Sequence, residues 1–534
     1  MAQQPKTDQE WPPTLEQLEA AKKAFVDAID PEAVCRLASR HHSASKPCRV
    51  FRDTACGSFN ACFFVEFADD HSTQWNVRVA IEPALDDAWA KVQSEVATMR
   101  YVRQQTTIPV ARVHTYGCDE DLSRQDADPT RCVYMILDYI QGQPIDLVKF
   151  VADTRERKTH LYAQIIDIIA QLRALEFDFS GSLYPGPQDN PQGSLLESKP
   201  VMGDLLCIEY NELQKMTRRR ASVRPATFRS TIEYAFYQYS ILAEAYQVPV
   251  AQRTLLGAQM EVFALHDIKA RILDVVDTRT NYNFFVLAHT DFRWYNILVD
   301  DDLNIQGVID WEWSGAIPQQ FFMPPTWLAE GSPSFVASQS YRKEYREFYA
   351  VLSSMAAEVA AASSTLTPPT TTKPTLSVRN VYQMLADEWG PDLPERLDFP
   401  IAVILRHHYH LVQTYFFSIF PKFFQPFLLP RDYLAEFFTL DGSKGGALSA
   451  AVRMRLERED RYIQYLKDHD LFVAGTLPPA VKEWLQQKEA VDTRCFNTYL
   501  RGKDERSTIT HLELLESFAE DVLRASIAPW NQGE

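Results

Sequence analysis

Four polar residues sit among apolar neighbours in the stretch HTDFRWYNILVDDDLNIQGVIDWEW: His289, Asp291, Asn296 and Asp310. A carboxylate can meet the proton of a hydroxyl. An amide oxygen and a second carboxylate can hold Mg²⁺, a hard cation that prefers oxygen ligands. Phosphoryl transfer needs little more than these parts and an oriented acceptor. The intervals agree with that chemistry. Asp291 follows His289 by two positions and precedes Asn296 by five, the H-x-D-x-x-x-x-N spacing of a kinase catalytic loop. Asp310 comes fourteen positions after Asn296, room for one tight β-hairpin that folds it back beside Asn296. Ile297, Leu298, Val299, Val308 and Ile309 would pin that hairpin to a core, with the polar groups at its ends. A lone H-x-D is common and usually structural; the combined pattern is much harder to produce by packing alone.

Other elements must position this hairpin. From Cys48 the chain reads as three short strands, with turns at Gly57 and at Asp69–Ser72. In the third, Trp75, Val77, Val79 and Ile81 alternate with Asn76, Arg78, Ala80 and Glu82, the period-two pattern of a half-buried strand. Asp86–Gln105 carries Val92, Val96 and Met99 at helical spacing, Pro109 ends that region, and ARVHTYG and RCVYMILDY supply two further strands. Residues 48–139 therefore read β-β-β-α-β-β. After Gly142 the pattern is mainly helical, interrupted by the two short strands of the opening stretch, which meet at Asp300–Asn304. Ahead of the sheet, Thr14 and Gln17 form a capping-box pattern leading into a helix. Ala356–Ser377 is a low-complexity Ala, Ser, Thr and Pro segment, expected as an exposed, mobile insertion. Helices are expected to resume at Val378 and run to about Ile527. The resulting division is a tail with helices (1–47), a sheet lobe (48–139), a helical lobe with the catalytic loop (140–330), a partly disordered insertion (331–377) and a helical extension (378–534).

Composition narrows the class. With 46% hydrophobic and 12% aromatic residues in 534, the chain is globular. A formal charge of −17 argues against a general nucleic-acid binder, which shows a basic face. It suits a cationic substrate, or simply an acidic soluble surface. Eight cysteines without a C-x-x-C pair suggest free thiols in a reducing compartment, with Cys62 and Cys132 in the core. The first residues carry no apolar leader, and no run of about 18 apolar residues exists, so a soluble cytoplasmic protein without a membrane partner is expected.

HTDFRWYNILVD followed by GVIDWEWSGAIP resembles the aminoglycoside phosphotransferase (APH) family, whose pattern is H-x-D-x-x-x-x-N-I-L-V-D and then I-D-W-E-x-A. EVATMRYVRQQTTIPVARVHTYG and YMILDYIQGQPI are similar to segments of its large fungal branch. The resemblance spans residues 48–330. It implies an α+β, two-lobed protein-kinase-like fold: a small antiparallel-sheet N-lobe that binds the nucleotide and a mainly helical C-lobe, here with extra C-terminal helices. It implies ATP and Mg²⁺ as cofactors and a small-molecule hydroxyl as the acceptor. Carried over by motif, Asp291 would be the catalytic base or would orient the hydroxyl, and Asn296 and Asp310 would bind Mg²⁺. His289 would brace the catalytic loop. Arg293 stands where protein kinases carry a Lys that touches the transferred phosphate. Leu137 to Ile140, including Tyr139, would be the hinge whose backbone meets adenine.

Two positions depart from the kinase pattern. The turn after the first strand, TACGSFNACFF, has one glycine; the amides of Gly57, Ser58 and Phe59 could approach a phosphate, or the turn could be an ordinary hairpin. The third strand lacks a Lys. Arg78 lies on the face where one belongs, with Glu95 seventeen residues on as its ion-pair partner; the other reading is a solvated strand residue. Glu312 reads equally as a salt-bridge partner or a metal ligand. His407 and His410 share a helical face without a visible third ligand, and RRRAS at Ser222 matches a kinase target by composition alone. The aromatic stretch Tyr409–Phe438, broken by Pro421 and Pro426, reads first as core and second as a substrate-pocket wall. The function expected is ATP- and Mg²⁺-dependent phosphorylation of a small-molecule hydroxyl. The runner-up is a non-catalytic, pseudokinase-like binding or scaffold protein. A protein kinase is third, because D-F-G and A-P-E are absent.

Overall fold

A computed structural model describes residues 11–69, 71–124, 131–191, 199–218, 221–251, 253–329, 331–365, 380–424, 430–439 and 443–472. The chain opens with α1 (Leu15–Ala28), started by the capping box that Thr14 and Gln17 predict, and α2 (Pro31–His41), capped by Asp30. Helix α2 buries Ala33, Val34, Leu37 and Ala38, whereas α1 buries none of its residues.

The sheet follows as β1 (Cys48–Cys56), β2 (Asn60–Phe67), β3 (Gln74–Ala80), β4 (Val113–Asp121) and β5 (Arg131–Asp138), with α3 (Ala88–Gln105) between β3 and β4. Its order is β1-β2-β3-β5-β4, every pairing antiparallel. This is the β-β-β-α-β-β order expected. Strand β3 is central, and that changes its burial. Val77 and Val79 face the core as the alternation requires, but Arg78 is only 8% exposed. The solvated reading of Arg78 therefore fails: the strand is covered on both faces. Helix α3 buries Val92, Val96, Met99 and Val102, and also Lys91 and Glu95.

Past the sheet come β6 (Gln143–Pro144), α4 (Leu147–Val151), α5 (Arg155–Arg173), β7 (Glu176–Phe177), β8 (Ser182–Tyr184) and β9 (Val201–Gly203). Helices α6 (Ile208–Met216), α7 (Thr231–Ala245) and α8 (Leu255–Val275) follow. Then come β10 (Phe285–Ala288), β11 (Ile297–Val299), β12 (Ile305–Val308) and β13 (Gly315–Pro318). Strands β11 and β12 form the expected hairpin, with Ile297 opposite Val308 and Leu298 opposite Gly307. Asp300 closes its turn by accepting the amides of Asp302 (3.0 Å) and Asn304 (2.8 Å). Strand β6 adds to the other edge of β11, and Gly142 just before it has φ +137°, where a Cβ would lie 3.2 Å from the Val299 carbonyl oxygen. Only glycine fits there. The short strands β6–β10 and β13 were not legible: at two to four residues each they are too short to show a period.

The C-terminal part holds α9 (Gln339–Thr365), α10 (Val381–Trp389), α11 (Asp398–Arg406), α12 (Leu411–Thr414), α13 (Phe420–Phe423), α14 (Pro430–Thr439) and α15 (Ser443–Asp468). Helix α9 corrects the expected insertion. Tyr341, Tyr345, Phe348, Leu352 and Ala356 form a buried stripe on it, packed against α5 and α10, and the Asn380 amide donates to the Ala356 carbonyl at 2.8 Å. Alanine is the best helix former, so the Ala-rich run extends a helix that the aromatic stripe anchors. Residues 366–377, and the helix expected near Ile527, lie outside the described residues. One apolar cluster runs from Ile29 through both lobes to Leu434. The aromatic stretch joins it: Tyr415, Phe420, Phe424, Tyr433 and Phe437 ring Phe263. Cys132 is buried as expected, but Cys62 is half-buried. Among the described residues no helix is long and apolar enough to cross a membrane.

Because α9 continues through Ala356, Ala356→Pro should lower stability by about 3 kcal/mol, the usual cost of proline inside a helix. Chemical denaturation measures it; an unchanged midpoint would instead mean an exposed insertion.

Candidate active site

The β11–β12 hairpin and the loop before it are braced from both sides. Strand β10 ends at Ala288, and the next residue, His289, is buried and donates from Nε2 to the Ile309 carbonyl at 2.9 Å. Burial holds its pKa below the ordinary histidine range. A neutral imidazole thus staples the start of the catalytic loop to the residue before Asp310. Asn296 donates from Nδ2 to the Asp291 main-chain oxygen (2.9 Å) and to Oδ2 (3.0 Å), and the Ile309 amide donates to the Asn296 carbonyl (3.0 Å). Arg293 places Nε 2.5 Å from Asp291 Oδ1. Trp327 Nε1 holds the loop through the Phe292 carbonyl at 2.7 Å. Asp310 itself sits at φ +64°, a left-handed conformation that costs a non-glycine residue about 1–3 kcal/mol.

That cost is offset at the other end of its side chain. Arg78 donates from Nη2 to Asp310 Oδ1 and from Nη1 to Glu95 Oε1, both at 2.7 Å. The ion pair expected between β3 and α3 is present, and the same guanidinium reaches across to the hairpin. A second cation, Lys91, was not singled out from the sequence. Its Nζ lies 2.9 Å from Asn60 Oδ1 and 3.2 Å from Glu95 Oε2, and it contacts Glu312 more closely still. Asn60 Nδ2 also donates to Glu312 Oε2 at 2.7 Å. Glu312 is therefore a buried salt-bridge partner here. Its i,i+4 spacing from Glu95 was the readable signal for Lys91, but such pairs are normally surface pairs.

Burial alone would lower the Arg78 and Lys91 pKa values, but the surrounding carboxylates outweigh it and raise both. Burial would also raise Asp310; Arg78 and Lys91 outweigh it and hold the carboxyl below its ordinary value. Glu312 is pushed up to about 7 by burial and by the nearby Asp310, against the pull of Lys91.

The remaining expected residues line the same cleft of about 1240 Å³: Gly57, Ser58, Leu137, Tyr139, and with them Asp291, Arg293, Asn296 and Asp310. Gly57 closes a plain hairpin, its amide donating to the Asn60 carbonyl at 2.9 Å, and a Cβ there would meet only that oxygen, at 3.8 Å. Glycine is not required at this turn. At the hinge, the Asp138 amide donates to Arg112 (3.0 Å) and the Tyr139 amide to Gln74 (3.1 Å), which leaves Ile140 as the next amide along the cleft. The Tyr139 ring packs edge-on against Phe51 and Phe64.

The opposite half of the cleft comes from segments that carry no readable motif. Glu209 and Glu212 of α6 enter it, and burial pushes each carboxyl up to about 7. Arg406 lines it just before the aromatic stretch, and Tyr409, His410 and Gln413 from its start; beyond them Tyr415, Phe416, Ile419, Phe420 and Leu434 are core, whereas Phe417 and Phe423 are exposed. Helix α1 supplies Lys22 and Lys23 at the mouth. Of the two flagged histidines, His407 is buried and His410 Nδ1 lies 2.8 Å from Ser334 Oγ, while Ser222 donates its hydroxyl to Glu244 at 2.7 Å.

A family model described as the phosphotransferase enzyme family, APH, matches residues 65–319. This match spans just under half of the chain, and over it the sequence is similar to the APH family. The APH match takes in Arg78, Lys91, Glu95, the hinge, α6 and the whole catalytic hairpin, and leaves out α1, Gly57 and everything from α9 onward. The kinase-like arrangement expected, an antiparallel-sheet lobe above a helical lobe, is the one observed. Among solved structures the chain is similar to an ethanolamine kinase of Plasmodium vivax (10% identity, 75% of this chain and 89% of that one, TM-score 0.34). It is similar also to an apo macrolide 2′-phosphotransferase of Brachybacterium faecium (12%, 79% and 97%, 0.33). A microcompartment-associated aminopropanol kinase gives 11%, 80% and 98%, with a TM-score of 0.36. No curated protein matches the chain.

Beside the cleft, His408 is 1% exposed and burial drives its pKa down to about 3. A depressed histidine leaves the unfolded state binding more protons below about 6.5, so stability is lost as pH falls. Between pH 7 and 5 this one group should cost about 2 kcal/mol. His408→Gln should flatten the drop by that amount in denaturation curves at the two pH values; an identical drop in the variant would overturn the assignment.

Proposed function

We propose that this chain transfers the γ-phosphoryl group of ATP to a hydroxyl of a small molecule, with Mg²⁺ as cofactor. The observation that carries the reading is that one cleft gathers Asp291, Asn296, Asp310 and Arg78, with the Arg78 guanidinium ion-paired to Glu95 buried behind it. The donor set suits Mg²⁺, which commonly takes one or two protein oxygens and completes its shell with phosphates and water. Asp310 offers a carboxylate. Asn296 uses its amide nitrogen on Asp291, so its Oδ1 is the atom left for a cation. When bound, Mg²⁺ would neutralise charge on the phosphates.

The chain's own residues would do the rest. Asp291, oriented by Asn296, accepts the proton of the acceptor hydroxyl. The hydroxyl oxygen then bonds to the γ-phosphorus as the bond to the β,γ-bridging oxygen breaks, and that electron pair leaves with ADP. Arg293 places positive charge beside Asp291, where the transferred group passes. The backbone around Ile140 receives adenine. A cytoplasmic setting suits the seven described cysteines, which are free thiols.

A second reading has its own support. Arg78 holds Asp310 at 2.7 Å, so the carboxylate that would meet the metal is engaged by a protein cation. If that contact persists, the chain is a non-catalytic binding protein.

Two measurements decide. Millimolar ATP with Mg²⁺ should raise thermal stability, by about 2.7 kcal/mol at a hundredfold excess over Kd. Asp291→Ala should then lower ATP turnover on a metabolite pool about 10²–10⁴-fold without moving the melting temperature. Stabilisation without turnover in the unmodified protein favours the binding-protein reading, and no stabilisation sinks both the nucleotide and the phosphotransfer assignments.

A further inference from the structure

The site holds one more buried cation than a single β3–α3 ion pair requires. Lys91 is 1% exposed, and three oxygens surround its ammonium, from Asn60, Glu95 and Glu312. It donates a hydrogen bond to Asn60 and is held between the two carboxylates as an ion pair. Arg78 differs. Its Nη1 and Nη2 each meet a carboxylate, but its buried Nε has no partner. Lys91 is locked in place, whereas the guanidinium keeps donor capacity in reserve.

The charges sharpen this contrast. Arg78 and Lys91 face Glu95, Asp310 and Glu312, a formal charge of −1 when every carboxyl is counted as ionised. Apolar side chains of the same size are often as stabilising as a buried ion pair or more so, so a second buried pair is weak evidence of a role in stability. Without Lys91, three carboxylates would converge on one guanidinium, and Arg78 could not turn toward an anionic ligand without leaving them uncompensated.

We infer that Lys91 is a positioning residue of the nucleotide clamp: it neutralises Glu95 and Glu312 so that Arg78 can be shared with the nucleotide's phosphates. This rests on the phosphotransferase reading above. It assigns the work that one strand lysine does in a kinase to two residues, Arg78 to touch the phosphate and Lys91 to release it for that contact.

The test is the affinity of a fluorescent ADP analogue, mant-ADP, titrated in EDTA so that only protein groups contribute, with the melting temperature read in parallel. The unmodified protein should bind. Lys91→Met takes the cluster to −2 and should weaken binding about tenfold or more, the scale of removing one buried charge partner. Adding Glu312→Gln returns the cluster to −1 and should restore affinity to within about threefold. Glu312→Gln alone leaves Lys91 in place and should bind at least as tightly as the unmodified protein, which keeps the inference testable if Lys91→Met does not fold. Unchanged affinity in Lys91→Met, failure of the double variant to recover, or weaker binding by Glu312→Gln alone would overturn it. A merely structural Lys91 would lower the melting temperature and leave the affinity of the folded protein unmoved. No binding by the unmodified protein would overturn the nucleotide reading, and this inference with it.

Discussion

The guanidinium of Arg78 joins the two halves of the site, and the alignment of everything around it depends on that contact. One edge is tied to Glu95 on α3 and the other to Asp310 beyond the catalytic hairpin. The two carboxylates belong to different lobes, so the contact sets how the sheet lobe sits over the hairpin. An ion pair buried to this depth adds little net stability, yet breaking one partner costs about 3–5 kcal/mol because the other charge is stranded. Its effect is therefore to select one arrangement of the lobes. The apolar cluster they share supplies the cohesion, and it alone would tolerate many alignments, because apolar contact is non-directional.

The hairpin shows the same division of labour on a smaller scale. Ile297, Leu298 and Val308 bury its body. Its polar ends are oriented by single hydrogen bonds: His289 to Ile309, Asn296 to Asp291, Ile309 to Asn296. Strand β6 extends the same small sheet, so the chain leaving the hinge is hydrogen-bonded to the strand after the catalytic loop. The pairing joins Pro144 to Leu298 and Gln143 to Val299. Gly142 permits this close approach, because a side chain there would strike Val299.

The half of the cleft facing Asp291 is built on another principle. Glu209 and Glu212 from α6, the segment after α11, and the lysines of α1 come from three distant parts of the chain. Two of these lie outside the APH match. Carboxyls raised toward 7 beside buried arginine and histidine make a region whose charge depends on its occupant. The two halves of the cleft are thereby built separately: one from a single compact hairpin, the other from elements far apart in the chain.

The sequence by itself determined the hairpin, the five-stranded order and the grouping of its polar residues, because each is local. Asp291, Asn296 and Asp310 lie within twenty residues, and β-periodicity and a tight turn suffice to bring them together. It also pointed to Arg78 and Glu95, whose strand and helix are adjacent in the chain. Composition misled at Ala356, where bias toward alanine was read as disorder although the anchoring aromatic stripe ends about two turns earlier, at Phe348. Only the tertiary structure decided that Arg78 is buried, that Glu312 is a salt-bridge partner, that Lys91 belongs to the site, and that α6 and α1 wall the cleft. The physical reason is common to all of these. A charged side chain is not periodic evidence of anything until its partners are known, and those partners lie up to about 250 residues away, reached through packing that no local pattern encodes.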